Sequence, residues 1–221
     1  MLATVTILLL WVAFAALHMV LASVQLRPKL VDRLGEQRYL ILYSIVSMVL
    51  FVALVWVYFA NKHAGLELWS LPRGTLLELI VILANGVAFV LLVSAFVQPS
   101  PTGMAPSPGE ARGVLLITRH PLFMGIAIWS LVHLLPNGYA SDVAFFGGML
   151  AFTLAGAWHQ DQRKLHSGPA EFAEFHAATP FLPFTGKRTL EGLQGLSPLA
   201  VILGVALAAV LRIFHGSLFG P

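Results

Sequence analysis

The fold class this sequence predicts is an all-α polytopic membrane helix bundle with about six transmembrane helices. Three observations predict it. Of the 221 residues, 58% are hydrophobic and only 10% are charged, where a soluble domain carries about 25% charge. Mean hydropathy is +0.84. Long apolar runs alternate with connections that hold most of the prolines and cations. A single integral membrane domain over residues 1–221 accounts for the length, with a core at about 2–185 and an additional C-terminal transmembrane helix at 197–215.

The first run, Leu2 to about Val24, lacks the basic residues that open a secretory signal peptide, so it reads as a retained helix. His18 lies near its end, with Trp11, Phe14 and Leu21 on the same side at helical spacing. Gln25 to Arg38 reads as a polar loop, and Tyr39 to Ala60 as the second span. After a short loop the third span, Thr75 to Val97, carries Glu78 and Asn85 on one face; Asn85 is expected to bond a neighbouring helix. Gln98 to Gly113 holds Pro99, Pro101, Pro106 and Pro108 and reads as irregular.

The fourth span, Leu122 to Leu135, is short against the ~20 residues that cross a bilayer. Ser141 to Trp158 is the fifth, with Gly147, Ala151 and Ala155 spaced for close helix approach. His159 to Leu196 reads as a long polar segment, helical over Ala170 to Ala177, and Ser197 to about Phe214 closes the chain.

Loop charges set an orientation. With both termini outside, Arg27, Lys29, Arg33, Arg38, Arg112, Arg119, Arg163, Lys164, Lys187 and Arg188 lie inside, and only Lys62, Arg73 and Arg212 outside. The expected setting is the bacterial inner membrane, with the lipid bilayer as the main partner and an apolar, lipid-like molecule as the substrate class. The net charge of +3 is scattered among loops, so no nucleic acid is expected. The chain has no cysteine, which excludes disulfides, thiolate zinc sites and iron–sulfur clusters.

The chemistry concentrates between Leu116 and His133. Arg119 and His120 precede Pro121, a residue suited to a first helical turn, and His133 lies deep in the apolar run with Ser130 on its face. Ionisable groups in hydrocarbon are costly and mark functional sites. Of four histidines weighed together, His18, His120, His133 and His159, two on different helices make a ligand pair for a metal or haem. His18 should lie about 7–9 Å, and His133 about 17 Å, above the inner boundary, and His120 matches His18 as closely in depth. Spacing alone does not choose the pair. His63, His166 and His215 read as solvated, and His176 as nearly so. Asp161 and Arg163 share a face with Arg119 and His120, where an interfacial ion pair is expected.

These residues also carry a resemblance. Ala16 to Ser23 with Arg27, Tyr39 to Ser47, Ile117 to His133 with Asn137-Gly138, and Gly156-Ala-Trp158 with Asp161 and Arg163 together resemble the NnrU-domain family, to which 15-cis-zeta-carotene isomerases are related. The resemblance implies haem b held through histidines that match His18 and His133. It also implies an isomerase-like activity, or a role in nitrite and nitric-oxide metabolism. Arg27 or Arg119 would face a haem propionate. In the isomerase branch a cysteine three residues before the second histidine joins a redox-linked ligand exchange; Ser130 stands there, so that exchange is not expected.

A competing resemblance is to S-adenosylmethionine-dependent membrane methyltransferases of the isoprenylcysteine and phospholipid type, which share Arg-His-Pro and a glycine matched by Gly125. Their paired glutamates are replaced by Gln160-Asp161, which weakens that reading.

Overall fold

The computed structural model describes residues 1–72, 74–102 and 110–219, so the placement of Arg73 and the central part of the proline-rich connection lie outside the described residues. Among the described residues the chain forms ten helices: α1 (Leu2–Leu21), α2 (Leu26–Leu34), α3 (Glu36–Ala60), α4 (Thr75–Val97), α5 (Val114–Ile117), α6 (Pro121–Leu134), α7 (Ala140–Ser167), α8 (Glu171–Ala178), α9 (Thr189–Gln194) and α10 (Pro198–Phe219). Five of them, α1, α3, α4, α7 and α10, are long and apolar enough to cross a membrane, and α6 is a shorter apolar helix of 14 residues. The all-α membrane bundle is therefore observed.

Several boundaries differ from the sequence expectation, each for a physical reason. The segment after α1 is not a loop: Leu26–Leu34 is a helix that ends at Gly35, whose φ of 78° only glycine adopts readily. The fifth span does not stop at Trp158. Helix α7 runs on to Ser167 because Gln160 to Leu165 are good helix formers and Asp161 is tied inward. The helix after it is displaced by one residue, Glu171–Ala178, and the last span extends to Phe219.

The chain divides into two compact units. The first comprises Met1–Leu71 and His133–Phe152. In it α1 packs along α3, and Trp11 rests on α7, where a Cβ added at Gly148 would come within 2.2 Å of the indole. Gly148 is therefore the close-approach position. The stripe expected at Gly147, Ala151 and Ala155 is not: nothing lies within 4 Å of a Cβ at Gly147, and both alanines are exposed. Residues 64–68 run antiparallel to residues 138–141, through Leu68 N–H to Gly138 O, Ala140 N–H to Leu66 O and Ser141 N–H to Ala64 O.

The second unit comprises Pro72–Val132 and Thr153–Pro221. Helix α10 lies against α4, with Gly204 seated on Val90, and Leu91, Val114, Ile117, Met124, Ala157, Phe172 and Phe175 form a buried cluster. Asn85 bonds the Val81 carbonyl of its own helix, not a neighbouring one. The short α5 is separated from α6 by Thr118 in extended conformation, and Pro121 disfavours helical geometry at His120 just before α6. That break turns three successive backbones toward other partners and creates the polar site described next.

Candidate functional sites

In the second unit the break brings Arg119 and His120 onto Asp161. Arg119 N–H donates to Pro180 O at 2.9 Å, and Thr118 Oγ1 donates to Phe181 O at 2.7 Å, so the 118–120 turn is stitched to the segment after α8. The guanidinium then has one direction for each partner. Nε donates to Asp161 Oδ2 at 2.8 Å, Nη1 to Thr179 O at 2.7 Å and Nη2 to His176 Nε2 at 3.1 Å. The second carboxylate oxygen of Asp161 accepts from His120 Nε2 at 2.9 Å. Arg119 is 7% exposed, His120 and Asp161 1%. The expected interfacial ion pair is thus a buried network, and His176, ranked as nearly solvated, belongs to it. Among the described residues the ion-pair partners of Asp161 are Arg119, His120 and His176, and Arg163 is not one of them. Burial, reinforced by the Arg119 guanidinium, holds His176 below the ordinary histidine range, consistent with a neutral ring accepting from Arg119.

In the first unit His18 sits among aromatic rings: Phe14 at 5.3 Å, Tyr43 at 4.9 Å and Phe152 edge-on at 5.6 Å. Tyr43 Oη is 2.7 Å from Nε2 and Ser47 Oγ is 3.1 Å from Nδ1. Both hydroxyls can donate or accept, so the contacts fit either tautomer; in one of them Nδ1–H donates to Ser47 and Nε2 accepts from Tyr43. Tyr43 in turn stacks on Tyr39, whose hydroxyl donates to Leu21 O, and the Arg27 guanidinium lies 5.8 Å over the Tyr39 ring. Arg27 also pairs with Glu36 at 3.2 Å, both exposed.

His133 belongs to the same unit, where it stacks on Phe146 at 4.9 Å and its carbonyl accepts from Asn137 Nδ2. Phe146 and Phe152, the rings on which the two histidines rest, are six residues apart on α7, or about 9 Å along its axis. Ser130 is fully buried and its hydroxyl donates to Ile126 O of its own helix. His120 and Arg119 belong to the other unit.

By donor type, two imidazoles would suit a haem iron, whose porphyrin supplies the other four ligands. Coordination at His18 Nε2 would require the Tyr43 hydroxyl to leave it. Among the described residues no group of three or more His, Cys, Asp or Glu side chains is placed to hold a bare metal ion.

Sequence reasoning missed a third site. Asp142, fully buried in the first turn of α7, accepts from Tyr58 Oη at 3.1 Å, from His63 Nδ1 at 2.9 Å and from His63 N–H at 3.3 Å. His63 was expected to be a solvated residue; it is instead the partner of a buried carboxylate. An aspartate in a helical first turn is so ordinary that its position alone gave no signal.

These features define an integral membrane helix bundle with imidazole-centred polar sites inside its apolar helices. The chain belongs to the family described as NnrU protein, which matches residues 6–221. It is 30% identical over 196 residues to a Zea mays protein named 15-cis-zeta-carotene isomerase, chloroplastic, covering 87% of this chain and 52% of that protein. An Arabidopsis thaliana protein of the same name is 29% identical over 197 residues, with the same coverages of 87% and 52%. The chain therefore spans about half the length of these curated relatives. No solved structure matches it.

Proposed function

We propose that this NnrU-family protein binds one haem b in its first unit, with His18 and His133 as axial ligands, and acts in the membrane on an apolar, lipid-like molecule in an isomerase-like role. The observation that carries the reading is the setting of His18: an imidazole held by Ser47 at Nδ1 and Tyr43 at Nε2 among the Phe14, Tyr43 and Phe152 rings. Kinship with proteins named as carotene isomerases supports the apolar substrate class.

When bound, haem supplies one-electron redox chemistry. The chain's own residues do the rest. Ser47 would aim the His18 ring through Nδ1, and Phe14 and Phe152 pack against it. Arg27 is the better partner for a propionate, because its carboxylate partner Glu36 is exposed and exchangeable. Arg119 has donors turned onto Asp161, Thr179 and His176 within the other unit. That same commitment leaves the methyltransferase reading without a free Arg119 or Asp161 to meet S-adenosylmethionine.

With Ser130 in place of the thiolate, nothing in the chain offers the cysteine-dependent exchange. Purified protein should therefore show a low-spin bis-imidazole absorption spectrum both oxidised and reduced. A high-spin spectrum in either state, or colourless protein after expression with ample haem, rejects the assignment.

The cations of α2 and the end of α7 support a bacterial cytoplasmic membrane with both termini outside, the short α6 counting as a crossing. Reporter fusions to the two termini should report the same side; opposite sides would leave α6 outside the count.

A further inference from the structure

We infer that His63, Asp142 and Tyr58 form a proton relay between the water at one face of the membrane and the aromatic interior of the first unit. The assignment does not depend on haem being bound.

The geometry is a hydrogen-bonded file with one wet end and one dry end. The His63 side chain is 40% exposed, whereas that of Asp142 is fully buried. His63 Nδ1 lies 2.9 Å from Asp142 Oδ2, and Tyr58 Oη lies 3.1 Å from Asp142 Oδ1. Beyond the hydroxyl the path is apolar: the Tyr58 ring stacks on Phe145 at 4.0 Å and meets Phe146 edge-on at 5.5 Å. His63 and Tyr58 thus meet the same carboxylate, each at its own oxygen.

Two further observations set this file apart from ordinary packing. The partners of Asp142 include the Tyr58 phenol, the His63 amide and an imidazole that can carry the proton itself. Chains of ionisable groups inside membrane helices are a known form of proton relay. The backbone places it there: His63 has a φ of 53°, an uncommon left-handed value for a residue other than glycine. Ser141 and Ala64 exchange two hydrogen bonds just beyond it, which pins the strap that carries His63.

The relay moves only protons. His63 takes a proton from water at Nε2 and releases the one on Nδ1 to Asp142 Oδ2, so the ring returns to neutrality in its other tautomer. Asp142, now a carboxylic acid protonated on Oδ2, turns about its Cβ–Cγ bond to bring that proton to Tyr58 Oη and takes the phenol proton on its other oxygen. The reverse sequence carries the original phenol proton out through His63. One solvent proton replaces one phenol proton, only N–H and O–H bonds are made or broken, and no electron is transferred.

The test is the exchange of the Tyr58 hydroxyl with solvent, read on full-length protein in detergent with ¹³Cζ-labelled tyrosine in mixed H₂O and D₂O; a Tyr58→Phe protein assigns the signal. His63→Gln keeps a side-chain donor to Asp142 but has no second nitrogen through which a proton can pass. It should slow exchange at Tyr58 by at least about tenfold, with unchanged thermal unfolding, and Asp142→Asn should do the same. Exchange as fast as or faster than wild type in His63→Gln would overturn the relay, because the phenol would then reach water by another route or by opening of the strap. If His63→Gln unfolds early, the wild-type protein decides: exchange catalysed as solvent protons protonate an imidazole supports the relay, and exchange tracking global opening, at the rate of the slowest core amides, overturns it.

Discussion

Alanine at Asp161 should destabilise the protein by about 3–5 kcal/mol, the cost of leaving one partner of a buried ion pair uncompensated. Asp161 alone answers both the Arg119 Nε at 2.8 Å and the His120 Nε2 at 2.9 Å. Without it a 7% exposed guanidinium keeps only a carbonyl and a neutral imidazole as partners. Against native stabilities of about 5–15 kcal/mol, that loss threatens the fold itself. Arg119→Ala should cost a similar amount for the mirror reason, and Asp161→Asn less, since the amide still offers one acceptor. Unfolding of the detergent-solubilised protein, followed by helical circular dichroism, measures the difference. A change within about 1 kcal/mol, the worth of a solvated pair, would mean that water reaches the network.

The second large effect is on cofactor content. His18→Ala should lower bound haem to below about a tenth of wild type, because a first-sphere ligand is removed where orienting partners alone are worth about 10–100-fold. His133→Ala should lose haem or turn it high-spin. Ser47→Ala, which removes only the Nδ1 partner of His18, should weaken binding by about 10–100-fold and leave the spectrum low-spin. His166→Ala and His215→Ala, on exposed positions, should change neither content nor spin state.

The membrane spans were legible because an apolar run of helical length has few alternatives in lipid, where every backbone donor must be satisfied within its own segment. The end of α7 was not, since His159 to Lys164 look like the polar exit of a helix; their inward tie through Asp161 depends on Arg119 and His120, some forty residues earlier in sequence. The small-residue stripe failed by one position. Gly147 and Gly148 point about 100° apart, and only the packed partner, Trp11, tells which faces inward.

The sites divide the same way. The run from Arg119 to His133 announced itself through ionisable residues in an apolar segment, and His18 through its aromatic face. What the sequence left open was their grouping: His18 and His133 fall in one unit, Arg119 and His120 in the other with His176. Asp142 carried no signal, and Tyr43 and Ser47 only that of lying in the stretch Tyr39 to Ser47 that resembles the family. Their roles come from side chains brought together by pairing across 25, 29 and 79 residues of chain, and a hydroxyl on an apolar helix is indistinguishable from a packing residue until its partner is placed.

The central claim, haem b held by the first unit's histidines, is tested most directly by the haem b content per chain of wild-type and His18→Ala protein, purified after expression with ample haem and measured by extraction into acidified organic solvent. About one haem b per wild-type chain, all of it extractable because a chain without cysteine offers no thioether attachment, and almost none in His18→Ala is the predicted result. Wild-type protein without haem, or His18→Ala protein with its full complement, would contradict it.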